Sequence, residues 1–209
     1  MTFKDYCIDL ARDVPQTGAY DYPWQILPDI ETIIHNLMRT FGEDYVIEND
    51  IAIHTTATVD PSATLLPPVI IGPKASVGPH ALLRGVVYIG EGAHIGQGVE
   101  VKHSLIGCHT ALAHFNYVGD SIIGSHVNLE AGAIVANHHN DREDKTIFVR
   151  WEDDVVKTEV TKFGACIGDG CKLGANAVTS PGTILPPRSI VRRLELIEQI
   201  PPDTKTVLK

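Results

Sequence analysis

Two cations, Arg84 and Lys102, stand eighteen residues apart in a chain whose branched aliphatics recur every six. His114 follows in a short stretch shared with Asn116 and Tyr117, and Asn128 and Glu130 come next. Imidazole is the usual general base near neutral pH. Two stacked cations repel unless something negative lies between them. A phosphate answers that need, with arginine offering a fork of donors and lysine a point charge. Amide and carboxylate groups at Asn128 and Glu130 can hold hydroxyls or orient a histidine. The plainer alternatives are two solvated surface cations and a structural histidine, one of ten in the chain.

These residues belong to a repeat. Ile53, Val59, Leu65, Ile71, Val77, Leu83, Ile89, Ile95 and Val101 follow one another in steps of six, and each is followed four residues later by an apolar, mostly small side chain. Glycine fills the next position at Gly72, Gly78, Gly90 and Gly96, the position that Arg84 and Lys102 occupy with long cations. A period of six marks a hexapeptide β-helix. Three hexads make one triangular coil, so residues eighteen apart stack at about the 4.8 Å spacing of adjacent strands. The step shortens by one after Val101 and again after Val118, resuming at Ile106 and Ile123. Such slips are expected to re-aim side chains, as bulges do near functional sites. His114 lies just beyond the first slip.

Residues 136–162 interrupt the rod. ANHHNDREDKT is loop-like, and the alternation in KTIFVRW and VVKTEVTKF predicts a protruding β-hairpin. The repeat returns with Ile167, Leu173, Thr179, Leu185 and Val191. The expected architecture is all-β: one rod of roughly six coils over residues 51–209, with an N-terminal appendage over residues 1–50. In that appendage Asp29 is placed to cap a helix, and Ile30, Ile33, Ile34, Leu37, Met38 and Phe41 fall on one helical face. Tyr20, Tyr22 and Trp24 suggest an aromatic patch against the end of the rod, where a capping segment would cover unpaired strand edges.

Composition narrows the function. The 209 residues carry a net charge of -9 at pH 7, which argues against a nucleic-acid binder, since such a protein needs a basic face. No apolar run is long enough to span a membrane, and Met1 to Leu10 does not read as a secretory signal. The four cysteines form no CxxC pair, and Cys171 sits at a small-apolar core position. A cytoplasmic protein with reduced thiols is the expectation.

VKHSLIG, AHFNYVGDSIIGSHVNLEAGAIVAN and DKT resemble the left-handed β-helix domain of the bifunctional bacterial enzyme that acetylates glucosamine-1-phosphate and then uridylylates the product. The ending KFGACIGDGCKLGANAVTSPGT is similar to stand-alone relatives of the UDP-N-acetylglucosamine diphosphorylase-like kind. The resemblance implies a left-handed, trimeric hexapeptide-repeat fold and an N-acetyltransferase with acetyl-CoA as acyl donor and an amino-sugar phosphate as acceptor. It implies His114 as general base, with Arg84, Lys102 and Lys145 gripping the phosphate. Tyr117 and Asn128 match sugar- and phosphate-contacting positions, Asn128 standing with His114 in the catalytic pair, and Asn137 matches a residue beside the acetyl group and CoA. The family's NYDG loop reads NHHN here, and the donor side is matched less fully than the acceptor side. The nucleotidyltransferase half has no counterpart in these residues, so no diphosphorylase activity is expected of them.

Two other classes compete. A zinc lyase of the gamma carbonic anhydrase type uses the same rod, and His109 and His114, five apart, with His94 or His80, would give an open three-histidine site. The favoured site is expected to hold no metal. A silent sugar-nucleotide-binding scaffold is the third possibility. In every case a homotrimer is expected, because flat rod faces pair well by threefold symmetry.

Overall fold

The computed structural model describes residues 2–200; residues 201–209 of the expected rod region lie outside the described residues. The repeat folds as a β-solenoid of parallel coils with three faces. The second face is a seven-stranded sheet running from Thr58–Val59 through His94–Ile95, Ala111–Leu112 and Asn128–Leu129 to Ile190–Val191. Every pair in it is parallel and in register, as in Ala111↔Asn128 and Leu112↔Leu129. Seven stacked strands among the described residues make the rod seven coils rather than roughly six, with Ile51–His54 opening it and Leu196–Ile197, beyond the last repeat position Val191, pairing onto its far end.

The six-residue step is a packing rule. Each hexad turns one aliphatic inward, and Leu83, Val101, Val118 and Val135 stack in one column while Ile95, Leu112 and Leu129 stack in another, all fully buried. Each such side chain contributes on the order of 1.5–3 kcal/mol through burial. Corners turn through left-handed residues, including His109, His126 and Phe115 at φ 55°, 56° and 52°. The glycine that precedes a corner is required by close approach: a Cβ on Gly96 would collide with the Ala113 carbonyl oxygen of the next coil.

The third corner breaks the pattern. Leu82–Ile89 and Glu100–Ile106 run through it as continuous strands, joining the first and third faces into a thirteen-stranded sheet. Their register shifts between Arg84 and Val87, where the upper coil carries one residue more than the lower. Buried serines close the shortened corners. Ser104 Oγ donates to the Lys102 carbonyl at 2.7 Å and accepts the Ser121 amide at 3.0 Å. Ser121 repeats the arrangement with the Gly119 carbonyl and the Ala165 amide. The sequence slips are therefore corner deletions whose backbone groups are satisfied by hydroxyls.

The N-terminal segment lies along the side of the rod. Its helix, Ile30–Met38, buries Ile30, Ile33, Ile34, Leu37 and Met38. Asp29 is the N-cap residue but makes no side-chain capping bond; its carboxylate accepts the Tyr20 hydroxyl at 2.7 Å instead. The outward residues of the first face, Ala52, Ile70, Tyr88, Leu105, Ile122 and Cys166, share one core with this segment. That corrects the expected aromatic patch at the rod's end. Trp24 is buried, stacks on Tyr22 at 4.6 Å and meets Trp151 edge-on at 5.8 Å, because the first face presents an apolar column that needs cover. The rod's end edge is met instead by Tyr45–Glu48, paired antiparallel to Ile51–His54. Asp169 pins the segment down: its carboxylate accepts the Ile8 amide at 2.9 Å and the Ser125 amide at 2.7 Å, and its own amide donates to the Tyr6 carbonyl at 2.8 Å.

The insertion forms the predicted hairpin, Phe148–Trp151 with Asp154–Lys157. Its inner side, Val149 and Trp151, is buried in the same lateral core. Cys171 fills the rod core as expected, and all four cysteines are free. Among the described residues no helix is long and apolar enough to cross a membrane.

Candidate active site

The third face ends in a polar cluster. Parallel register sets Arg84 beside Lys102 and Lys102 beside Gly119. The stacking expected from eighteen-residue spacing is present. The negative charge it calls for is supplied by the protein. Arg84 Nε donates to Glu100 Oε1 at 2.8 Å, and its second nitrogen lies 2.7 Å from the same oxygen. Lys102 Nζ donates to Asp120 Oδ2 at 2.7 Å, with the two side chains 18% and 7% exposed. The same Asp120 oxygen accepts a short bond from Asn137 Nδ2. Cation stacking alone therefore does not demand an external anion.

Tyr117 covers this cluster. It sits between Glu100 and Ile134 in the outward column of the face. Gly119 makes the arrangement possible: a Cβ there would lie 2.8 Å from Asn137 Nδ2 and would overlap the Tyr117 hydroxyl. Burial raises the Tyr117 hydroxyl above its ordinary pKa, with Asp120 and Glu100 adding to the shift and Arg84 opposing it. The phenol is thus held neutral, able to donate and accept.

Four of the expected site residues, Arg84, Lys102, Tyr117 and Asn137, are brought together here. Three are not. His114 lies at the second corner, three residues before Tyr117; its carbonyl accepts the Gly132 amide at 2.9 Å, while its exposed imidazole bonds to no described residue. Asn128 projects from the second face, in a groove with Glu130, Lys172 and Arg193. Glu130 does not orient a histidine. Arg193 grips it through Nε at 2.8 Å and a second nitrogen at 2.7 Å, which lowers its pKa, and it also accepts the Ala175 amide. Lys145 is exposed on the loop before the hairpin and joins none of the cluster's ion pairs.

Glu100 and Asp120 were not singled out by the residue spacing. A signal for one existed, since Asp120 stands eighteen residues after Lys102. The three-histidine zinc set is not assembled within the chain. His109 and His126 stack at the first corner, ring centroids 5.2 Å apart, while His114 is at the second, and His94 is bonded to Ser76 at 2.8 Å. Among the described residues no three His, Cys, Asp or Glu side chains are grouped to hold a metal ion.

Comparison with known proteins places this arrangement in a family. The chain is 41% identical over 92 residues to the "Bifunctional protein GlmU" of Methanococcus vannielii, covering 44% of this chain and 22% of that protein. It is 44% identical over 79 residues to the protein of the same name from a Janthinobacterium strain, covering 37% of this chain and 17% of that one. The chain therefore spans less than a quarter of the length of these relatives. A hexapeptide transferase family protein of known structure from Anaplasma phagocytophilum aligns with 75% of this chain and 82% of its own, at 18% identity and a TM-score of 0.41. The family described as the GMPPB C-terminal domain matches residues 65–200, which include the rod from its first full coils and the whole polar cluster, and the chain belongs to that family.

Proposed function

We propose that the chain is an acyltransferase that moves an acetyl group from acetyl-CoA to the amino group of a sugar phosphate such as glucosamine-1-phosphate. The observation that carries the reading is the cluster of Arg84, Lys102, Tyr117 and Asn137 at the end of the third face, with His114 free on the adjoining corner. Arg84, 38% exposed, presents the open side of its guanidinium to a phosphate while Glu100 fixes its other side. Asp120 holds Lys102 and Asn137 in place from beneath. His114 takes a proton from the sugar amine as its nitrogen attacks the thioester carbonyl. The C–S bond then breaks, and the CoA thiolate leaves and is protonated. A thioester needs little further activation than a donor for the oxyanion.

Among the described residues His114 has no orienting partner, and this supports a site completed by a second copy. The outward column of the third face points the same way. Leu82, Ile134 and Val178 are half-buried and Leu196 is 59% exposed, whereas the equivalent column of the first face is covered by the N-terminal segment. We therefore assign a homotrimer with the third face in or beside the interface. A monomer by light scattering at micromolar concentration contradicts it. The test of the chemistry is His114→Ala, which should abolish turnover while leaving sugar-phosphate binding near normal; unchanged turnover removes the mechanism.

The neutralised cations favour one competing reading, a silent sugar-nucleotide-binding scaffold. Titration with acetyl-CoA separates the two, since tight binding counts against a scaffold and absence of binding against the transferase.

A further inference from the structure

A cleft of about 470 Å³ separates the N-terminal segment from the first corner of the rod. That volume is within the roughly 300–1,000 Å³ typical of small-molecule sites. It is distinct from the polar cluster, which lies on the third face. Its charged and titratable lining comes from Asp9, Arg12 and Asp13 on one side and from Glu91, His109 and His126 on the other. Arg12 is already spanned by the two aspartates, at 3.0 and 3.3 Å, and Glu91 is paired with Lys74 at 2.9 Å, so three carboxylates meet two committed cations. Asp13 also accepts the Cys108 thiol at 2.9 Å, and Glu91 holds Lys74 through one oxygen only. Burial first, and then Asp13, pushes the Cys108 thiol up to about 12, so it stays a neutral donor here.

The apolar walls are aromatic. Phe41 and Tyr45 stack face to face at 3.9 Å on one side, and Tyr88 rises from the first face. Tyr88 is only 7% exposed, yet its hydroxyl, lining the cleft, makes no hydrogen bond with any described residue. The hydroxyl opens into the cleft, so its hydrogen-bonding capacity is available to a ligand there. Every other outward side chain of that face is aliphatic or a thiol and is packed. A tyrosine there is not demanded by packing.

We infer that this cleft binds a small organic cation, an amine carried on a compact apolar body, with Tyr88 and the free Glu91 oxygen as its polar contacts. The three carboxylates outnumber Arg12 and Lys74 by one, which disfavours an anion. The absence, among the described residues, of three ligating side chains in metal-binding geometry disfavours a metal ion. Aromatic faces beside carboxylates are the surroundings that organic ammonium groups select. Because half the lining belongs to the N-terminal segment, occupancy also braces that segment on the rod.

The test is calorimetric titration of the full chain with choline and with putrescine, alongside magnesium chloride and inorganic phosphate as ionic probes. Saturable binding of at least one amine, with none for phosphate, is expected. Tyr88→Phe and Glu91→Gln should each weaken that binding by about tenfold, the loss of one hydrogen bond to a charged group. Both substitutions preserve side-chain shape, and unchanged melting of the unliganded variants shows that they fold. No heat from either amine at millimolar concentration overturns the assignment. So does amine binding that is unchanged in both variants, or phosphate binding that competes with the amine.

Discussion

Replacing Asp120 by alanine tests whether the polar cluster is held together from within. Asp120 accepts from Lys102 at 2.7 Å and from Asn137, and it is 7% exposed against 18% for the lysine. At an effective dielectric near 20, opposite unit charges at that separation attract by about 6 kcal/mol before desolvation is counted. Breaking a buried pair by removing one partner typically costs about 3–5 kcal/mol, since the other charge is left uncompensated. Lys102 keeps some contact with water, so a loss of about 2–4 kcal/mol is expected here. Urea unfolding should show a lower midpoint with an unchanged slope. Lys102→Met alone should also destabilise, by stranding Asp120. The double variant should cost less than the sum of the singles by at least about 1 kcal/mol, because the interaction is then absent from both remaining sides. Additive costs, or a single-variant loss below about 1 kcal/mol, would refute the view that this pair organises the site.

Other consequences follow from the same geometry. Leu112→Ala, at a fully buried position in the second-face core column, should lower stability by about 2–5 kcal/mol in denaturant unfolding. Gly96→Ala should be at least as damaging although it adds a single methyl group, because the Ala113 carbonyl of the next coil occupies that space; the readout is loss of soluble folded protein or a depressed melting temperature. Burial raises the Tyr45 hydroxyl from 10.0 to about 12. The neutral form is favoured by the fold, so its contribution is complete below the ordinary value and is lost as pH rises through about 12. Phenolate absorbance should therefore lag behind that of free tyrosine, and Tyr45→Phe should flatten the loss of stability across that alkaline window.

Sequence alone determined the rod, its three-sided coil and the stacking of Arg84 on Lys102, because a period of six leaves one way for branched aliphatics to share a core. It also marked the two shortened corners, the hairpin and the apolar face of Ile30–Met38, since each is a local pattern read within a few residues. What fills the space around a side chain is not local. The pairing of Arg84 with Glu100 and of Lys102 with Asp120 was decided by a shortened corner that swings Asp120 beneath Lys102, and by Gly119 leaving room for Tyr117 and Asn137. The side-on docking of the N-terminal segment was likewise a tertiary outcome. The outward residues of the first face fall in positions that a hexad assigns to solvent, and only the stacked column of Ala52, Ile70, Tyr88, Leu105 and Ile122 makes them a surface that must be covered. Glu130 shows the same division. Its type and place suited it to orient a histidine, and Arg193, sixty-three residues on, claimed it first.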